Sequence, residues 1–204
     1  MTAPDDPAFA AFWSLVEAVT APMRPEPATR AALAAAVRRR TIAKGEHLLR
    51  EGDVPGEIWF IVRGLVRYYY LVDGEERTGQ FFDTGDLFGD VAGFATGQAA
   101  VQSFDALEPS EVLALPRGAV LAAYDADHAM ERFGRRMIER GFAGSQRRTA
   151  NLLRLSPEDL YRRLVQDRPE VARRVPQYVV ASYLGITPEA LSRIRRRLAR
   201  PVRP

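Results

Sequence analysis

Three kinds of hydrophobic spacing follow one another along the chain. Over residues 8–20, Phe9, Phe12, Trp13, Val16 and Val19 recur at three- and four-residue intervals, which predicts one apolar face of a helix. An alanine-rich stretch over 28–39 predicts a second helix, with Pro22, Pro25 and Pro27 keeping the connector extended. From Thr41 to about Leu115 the period shortens. Short β-branched and aromatic runs appear at His47–Arg50, Ile58–Val62, Leu65–Val72, Thr78–Phe82, Val101–Leu107 and Glu111–Leu115, separated by glycines. Asp73-Gly74 between two of them is a hairpin signal, and evenly spaced strands of this kind predict an antiparallel β-roll. Helical spacing returns from Arg117 to about Tyr124, and then over a long helix from about Asp127 to Leu155. On that helix Met130, Phe133, Met137, Gly141 and Gly144 share a face, while Ile138, Phe142, Thr149 and Leu153 lie about 100° round. So broad an apolar face must meet two neighbours. The first set is expected at the seam of a twofold dimer, its glycines allowing close approach, and the second against the roll.

The last quarter of the chain reads as two short helices around Gly185. Val180, Leu184, Ile186, Leu191 and Ile194 fill the angle between them, and Ala181 is small where they must approach. Thr187 is a favourable N-cap and Pro188 a favourable first residue, so the second helix has a defined start. This is the pattern of a helix-turn-helix that enters a major groove. At 100° per residue, Leu191, Ile194 and Leu198 form the packed side of the second helix. Glu189, Arg193, Arg196 and Arg200 gather opposite, with Ser192 at the edge. Glu189 can accept from the exocyclic amine of cytosine, and Arg193 can fork onto guanine O6 and N7. Arg196 can reach a base or a phosphate. Arg197 and Arg200 suit phosphates, and Gln177, Tyr178 and Thr187 suit the backbone at helix ends.

Charge sharpens that reading. The net charge of +3 divides into +11 over residues 129–204, from 18 Arg against 7 acids, and −8 over residues 1–128, from 11 Lys and Arg against 19 acids. A polyanion-binding half joined to an acidic half fits this split. With no cysteine and only His47 and His128, thiolate clusters, disulfides and histidine-rich metal sites are not expected. No phosphate loop or nucleophile elbow is present, so no enzyme activity is expected. No membrane span or signal peptide is expected either, and the location implied is the cytoplasm. The run Tyr68-Tyr69-Tyr70 must send Tyr69 to the face opposite its neighbours.

The order β-roll, long helix, basic helix-turn-helix resembles the Crp/Fnr family of bacterial transcription regulators. Four stretches carry the resemblance: Lys44–Asp53, Ile58–Arg67, Gly85-Asp86-Leu87-Phe88-Gly89-Asp90, and Ala181–Arg193. The family implies an α+β fold: flanking helices and a cyclic-nucleotide-binding-like jelly roll over 1–125, a dimerisation helix over 126–155, and an all-α DNA-binding domain over 156–204. It also implies a homodimeric, sequence-specific regulator whose partners are double-stranded DNA, a second copy and RNA polymerase. An effector would be expected at Gly89, Asp90, Ala100 and Val101. Ala100 and Val101, however, stand where nucleotide-binding relatives carry a small hydroxyl residue and an arginine. A cyclic phosphate would lack its cation there, so a cyclic nucleotide is not the expected effector. The family often continues into a β-hairpin wing, whereas the sequence after Leu198 resembles the wingless branch. Pro188 replaces the arginine that often precedes the glutamate. The alternative reading is a ligand-sensing roll that acts through protein contacts, its basic half binding nucleic acid without sequence preference.

Overall fold

A computed structural model of the chain describes residues 7–199. Two helices, α1 (Pro7–Thr20) and α2 (Pro27–Ala36), precede a roll of two four-stranded antiparallel sheets. The strands are β1 (Arg38–Ile42), β2 (His47–Leu49), β3 (Glu57–Arg63), β4 (Leu65–Val72), β5 (Glu75–Asp83), β6 (Leu87–Phe88), β7 (Ser103–Ala106) and β8 (Ser110–Pro116). One sheet runs β1-β8-β3-β6 and the other β2-β7-β4-β5. A short helix α3 (Val91–Thr96) lies between β6 and β7. Then come α4 (Arg117–Ala126), the long α5 (His128–Arg154), α6 (Pro157–Asp167), α7 (Pro169–Arg174), α8 (Gln177–Leu184) and α9 (Pro188–Leu198).

The predicted second helix stops three residues early. Val37 turns extended (φ −70°, ψ 140°), and the next residues enter β1, paired in register with β8. Alternating arginines explain the switch. Arg38 and Arg40 meet Glu57 while Arg39 meets Glu111, a two-faced arrangement that a strand supplies and a helix does not. The β4–β5 hairpin turns at Asp73 (φ 52°) and Gly74 (φ 78°), the two left-handed residues a tight hairpin requires.

Three apolar clusters hold the molecule together. Inside the roll, Trp59, Phe88 and Phe104 pack with Tyr68 and Phe82 at ring-centroid separations of 4.9–6.2 Å. Outside the first sheet, α1, α4 and the start of α5 pack around Phe12, Phe60 and Phe133. The third cluster joins the two halves of the chain. Leu65, Phe81 and Leu107 on the outer face of the second sheet meet Leu160, Leu164, Val171, Val175, Val179 and Leu184. The C-terminal half thus docks on the roll, with α8 beside β5. Thr78 N–H donates to Ser182 Oγ (2.9 Å), and the Ser182 hydroxyl donates to the Glu76 carbonyl (2.6 Å).

Candidate nucleic-acid interface and effector site

The turn between α8 and α9 is built as the sequence requires. Gly185 sits at φ 70°, a conformation cheap for glycine, and Ile186 N–H closes back on the Ala181 carbonyl (3.0 Å). Thr187 caps α9 by accepting from Ala190 N–H (3.3 Å), and Pro188 follows in the first turn. Leu191 and Ile194 are buried, Leu198 half-buried, and Glu189, Ser192, Arg193 and Arg196 are exposed. These last four line one shallow surface with Pro188. Arg193 and Arg196 make no ion pair among the described residues. Two unneutralised guanidiniums thus share a face with one acceptor.

Two predicted contacts carry a prior engagement. Glu189 is fully exposed, and its carboxyl is held below the ordinary value by its own backbone N–H, then by the Thr187 hydroxyl and Arg193. A base must compete with these contacts for the carboxylate. Arg197 pairs with Glu158 at the start of α6, where Glu158 also meets Arg162 (2.5 Å). A phosphate must compete with that carboxylate. Gln177 and Tyr178 are exposed in the first turn of α8. Arg200 lies outside the described residues.

The four effector residues do not come together as a pocket lining. Asp90 is buried and caps α3, accepting from Gly93 N–H (2.9 Å). Gly89 lies against Ile58. Ala100 belongs to the aromatic interior and exchanges backbone hydrogen bonds with Gly52 and Asp53, whereas Val101 is 68% exposed. Val101 lies in the bend that precedes β7, which turns it away from Ala100. Two arginines, Arg117 at the start of α4 and Arg67 of β4, are engaged elsewhere. Arg117 donates to the carbonyls of Phe94 and Ala95 at the end of α3. Arg67 is buried on the outer face between Asp105 (2.8 Å) and Glu76 (2.5 Å). Neither Ala100 nor Val101 offers a cation to an anionic group, and Asp90 is a helix cap. No group of three or more His, Asp or Glu among the described residues is placed to hold a metal.

The dimer assignment also needs correction. Met130 and Phe133 are buried in the chain's own core, and Met137 packs at its edge. A Cβ on Gly134 would come within 2.6 Å of the Tyr124 hydroxyl, so that close approach is within one chain. Gly141 and Gly144 face open space. Ile138, Phe142, Leu152 and Leu153 are the exposed apolar side chains of α5. Ile138, Phe142, Ser145, Thr149 and Leu152 recur at alternating intervals of four and three, a coiled-coil seam. Of the first face, Met130, Phe133 and Met137 pack within the chain and Gly141 and Gly144 do not, while the second face, expected on the roll, is exposed.

Sequence reasoning missed the junction between the halves, because its residues are remote in sequence. Arg174 of α7 binds Asp83 (2.8 Å) and Glu108 (2.5 Å), and Arg168 reaches Asp86 (3.5 Å) and the Phe81 carbonyl (2.7 Å). The Arg148 guanidinium of α5 lies 3.6 Å from the centroid of the Tyr183 ring, which packs tilted against Phe81. The unusual density of arginines outside α9 was the available signal.

Residues 39–127 match the cyclic nucleotide-binding domain family. No curated protein sequence matches the chain. Among solved structures, FixK2 of Bradyrhizobium japonicum is similar at 22% identity over 79% of this chain and 84% of that one, with a TM-score of 0.69. CLP of Xanthomonas campestris, a c-di-GMP responsive global regulator, gives 18% identity, 85% and 91% coverage and a TM-score of 0.68. A protein of Eubacterium rectale described as a transcriptional regulator of the Crp/Fnr family gives 13%, 85% and 83%, also at 0.68. These likenesses extend through the roll into the C-terminal helices, so the shared fold is that of the whole architecture.

Proposed function

From a chain that has the Crp/Fnr fold, with a cyclic nucleotide-binding domain over residues 39–127, we propose a homodimeric, sequence-specific DNA-binding transcription regulator acting in the cytoplasm. One observation carries the reading. Helix α9 buries Leu191 and Ile194 and leaves Glu189, Ser192, Arg193 and Arg196 in solvent on a single face. A duplex groove is the surface that rewards exposed, unpaired arginines beside a carboxylate.

The two subunits pair through Ile138, Phe142, Ser145, Thr149 and Leu152. The paired α9 helices then meet successive major grooves about 34 Å apart on a near-palindromic site. Arg193 and Glu189 read bases, Arg196 and Arg197 meet phosphates, and Gln177, Tyr178 and Thr187 fix the motif on the backbone. RNA polymerase is the further partner a regulator of this type meets. Any effector acts by changing the population of dimers whose α9 helices have the competent spacing. The cassette's chemistry does not favour a cyclic nucleotide in that role.

Selection of duplexes from a random pool, followed by mobility shift, tests the proposal. Enrichment of a twofold-symmetric sequence that outcompetes random duplex supports it. Equal affinity for all duplexes overturns it and leaves nonspecific binding.

A further inference from the structure

We propose that a β-bulge at Gly79 is the joint that fixes the helix-turn-helix against the roll and the long helix, with Ser182 as its positioning residue. Through that joint the fold sets which half-site spacing a dimer accepts. The inference deepens the regulator reading and rests on it for the spacing, not for the joint.

Strand β4 pairs with β5 in order until the register slips. Tyr68 lies opposite Gln80 and Tyr69 opposite Thr78, so Gly79 is the extra residue of a bulge. Regular alternation would send Thr78 and Phe81, three residues apart, to opposite faces of the sheet. The bulge turns both outward. Phe81 enters the apolar cluster with α8, and the Thr78 hydroxyl accepts from Arg67 (3.3 Å) on the same face. Glycine is required at the bulge because a Cβ there would run into the Tyr68 ring.

A bulge interrupts the ladder, and its backbone groups need other partners. Here those partners are helices. Thr78 N–H donates to Ser182 Oγ of α8 (2.9 Å), and the Gly79 carbonyl accepts from Arg148 Nε of α5 (3.3 Å). The Ser182 hydroxyl donates in turn to the Glu76 carbonyl (2.6 Å). Arg148 also donates to the Tyr183 carbonyl and lies over the Tyr183 ring, which packs against Phe81. The roll, the long helix and the helix-turn-helix therefore meet within three residues of Gly79. Arg67 braces the strand from the same face. It is 3% exposed and held by Asp105 (2.8 Å) and Glu76 (2.5 Å), so a shift of β5 would break a buried ion pair. Helix α5 carries the proposed seam, and α8 leads into α9. Fixing α8 against α5 therefore fixes the separation of the two α9 helices in a dimer, and that separation selects the half-site spacing.

Paired spin labels and spacer-varied duplexes test the joint in the full chain. The chain has no cysteine of its own, so Lys44→Cys on the roll and Glu170→Cys on α7, both exposed, take one label each. Diluted with unlabelled chain, the pair reads the distance within one subunit by double electron–electron resonance. The parent should give one narrow distance, and Ser182→Ala and Arg148→Met should each broaden it. Duplexes carrying two copies of a selected half-site, at spacings one base pair apart, provide the second readout. Ser182→Ala should leave affinity for a single half-site unchanged and reduce discrimination between spacings by about fivefold, the effect of one net hydrogen bond. A merely stabilising contact would lower the melting temperature and leave that discrimination intact, which overturns the proposal. A distance distribution as broad in the parent as in the variants overturns it too. Ser182→Ala removes a single hydroxyl and keeps the test decisive if Arg148→Met fails to fold. A distance that broadens in a chain without duplex preference retains the joint and loses the regulator reading.

Discussion

The arginines of α9 and those at the junction between roll and C-terminal domain are equally abundant and do opposite things. Arg193 and Arg196 stand exposed with no ion pair among the described residues, while Arg67, Arg168 and Arg174 are each held by acids of the roll. For Arg174, hydrogen bonds to Glu108 and then Asp83 raise the guanidinium pKa against the opposing effect of burial. The −8 charge of the first 128 residues is thus partly consumed in clasping the basic half. Positive charge alone does not mark a polyanion surface. Charge that the protein leaves unpaired, on a face opposite a packed stripe, does.

The comparison can be broken most severely through the scaffold. Phe142→Arg places a charge in the middle of the proposed seam. It should convert a dimer to a monomer in sedimentation and weaken binding to a two-half-site duplex by about a hundredfold or more, the loss of avidity. A dimer that survives the substitution would move the seam elsewhere. Next, Glu189→Ala with Arg193→Ala should remove base preference, about 1–3 kcal/mol for the guanine pairing, measured by competition between cognate and scrambled duplexes. Arg196→Ala should weaken all duplexes alike and lower the slope of log affinity against log salt by about 1, as a phosphate contact does.

The other arm of the comparison predicts smaller effects of a different kind. Arg174→Met should leave base preference intact and lower stability by about 1 kcal/mol in denaturant unfolding, since that arginine is about a third exposed and solvent screens it. A loss of base preference in this variant would show that the clasp sets recognition directly. The mildest test is acid titration at Asp127, the N-cap of α5. Burial opposes its charge, but the N–H groups of Glu26 and Ala129 hold its pKa below the ordinary value of 3.8. A depressed carboxyl stabilises fully above its unfolded pKa and ceases to do so as pH falls through the folded value. Unfolding followed below pH 4 should therefore show a steeper loss in the parent than in Asp127→Asn.

Periodicity by itself determined much of this protein. The strand runs from Ile58 to Val72, the Asp73-Gly74 hairpin, the long helix and the two-faced α9 are local patterns, each set by side chains a few residues apart. Exposure of Glu189 and Arg193 followed from the same arithmetic. Three matters were decided only in three dimensions. The wheel gave α5 two apolar faces, but which one packs in cis depended on α1 and α4 arriving at Met130 and Phe133. The family pattern placed a ligand site at Ala100 and Val101, but one faces the core and the other solvent. Pairing sorted the arginines, because Arg174 finds Asp83 and Glu108 across more than 60 residues of sequence while Arg148 finds none. Sequence spacing fixes which side chains share a face. Burial and charge compensation are sums over neighbours brought in by the rest of the chain, and those sums exist only once it has folded.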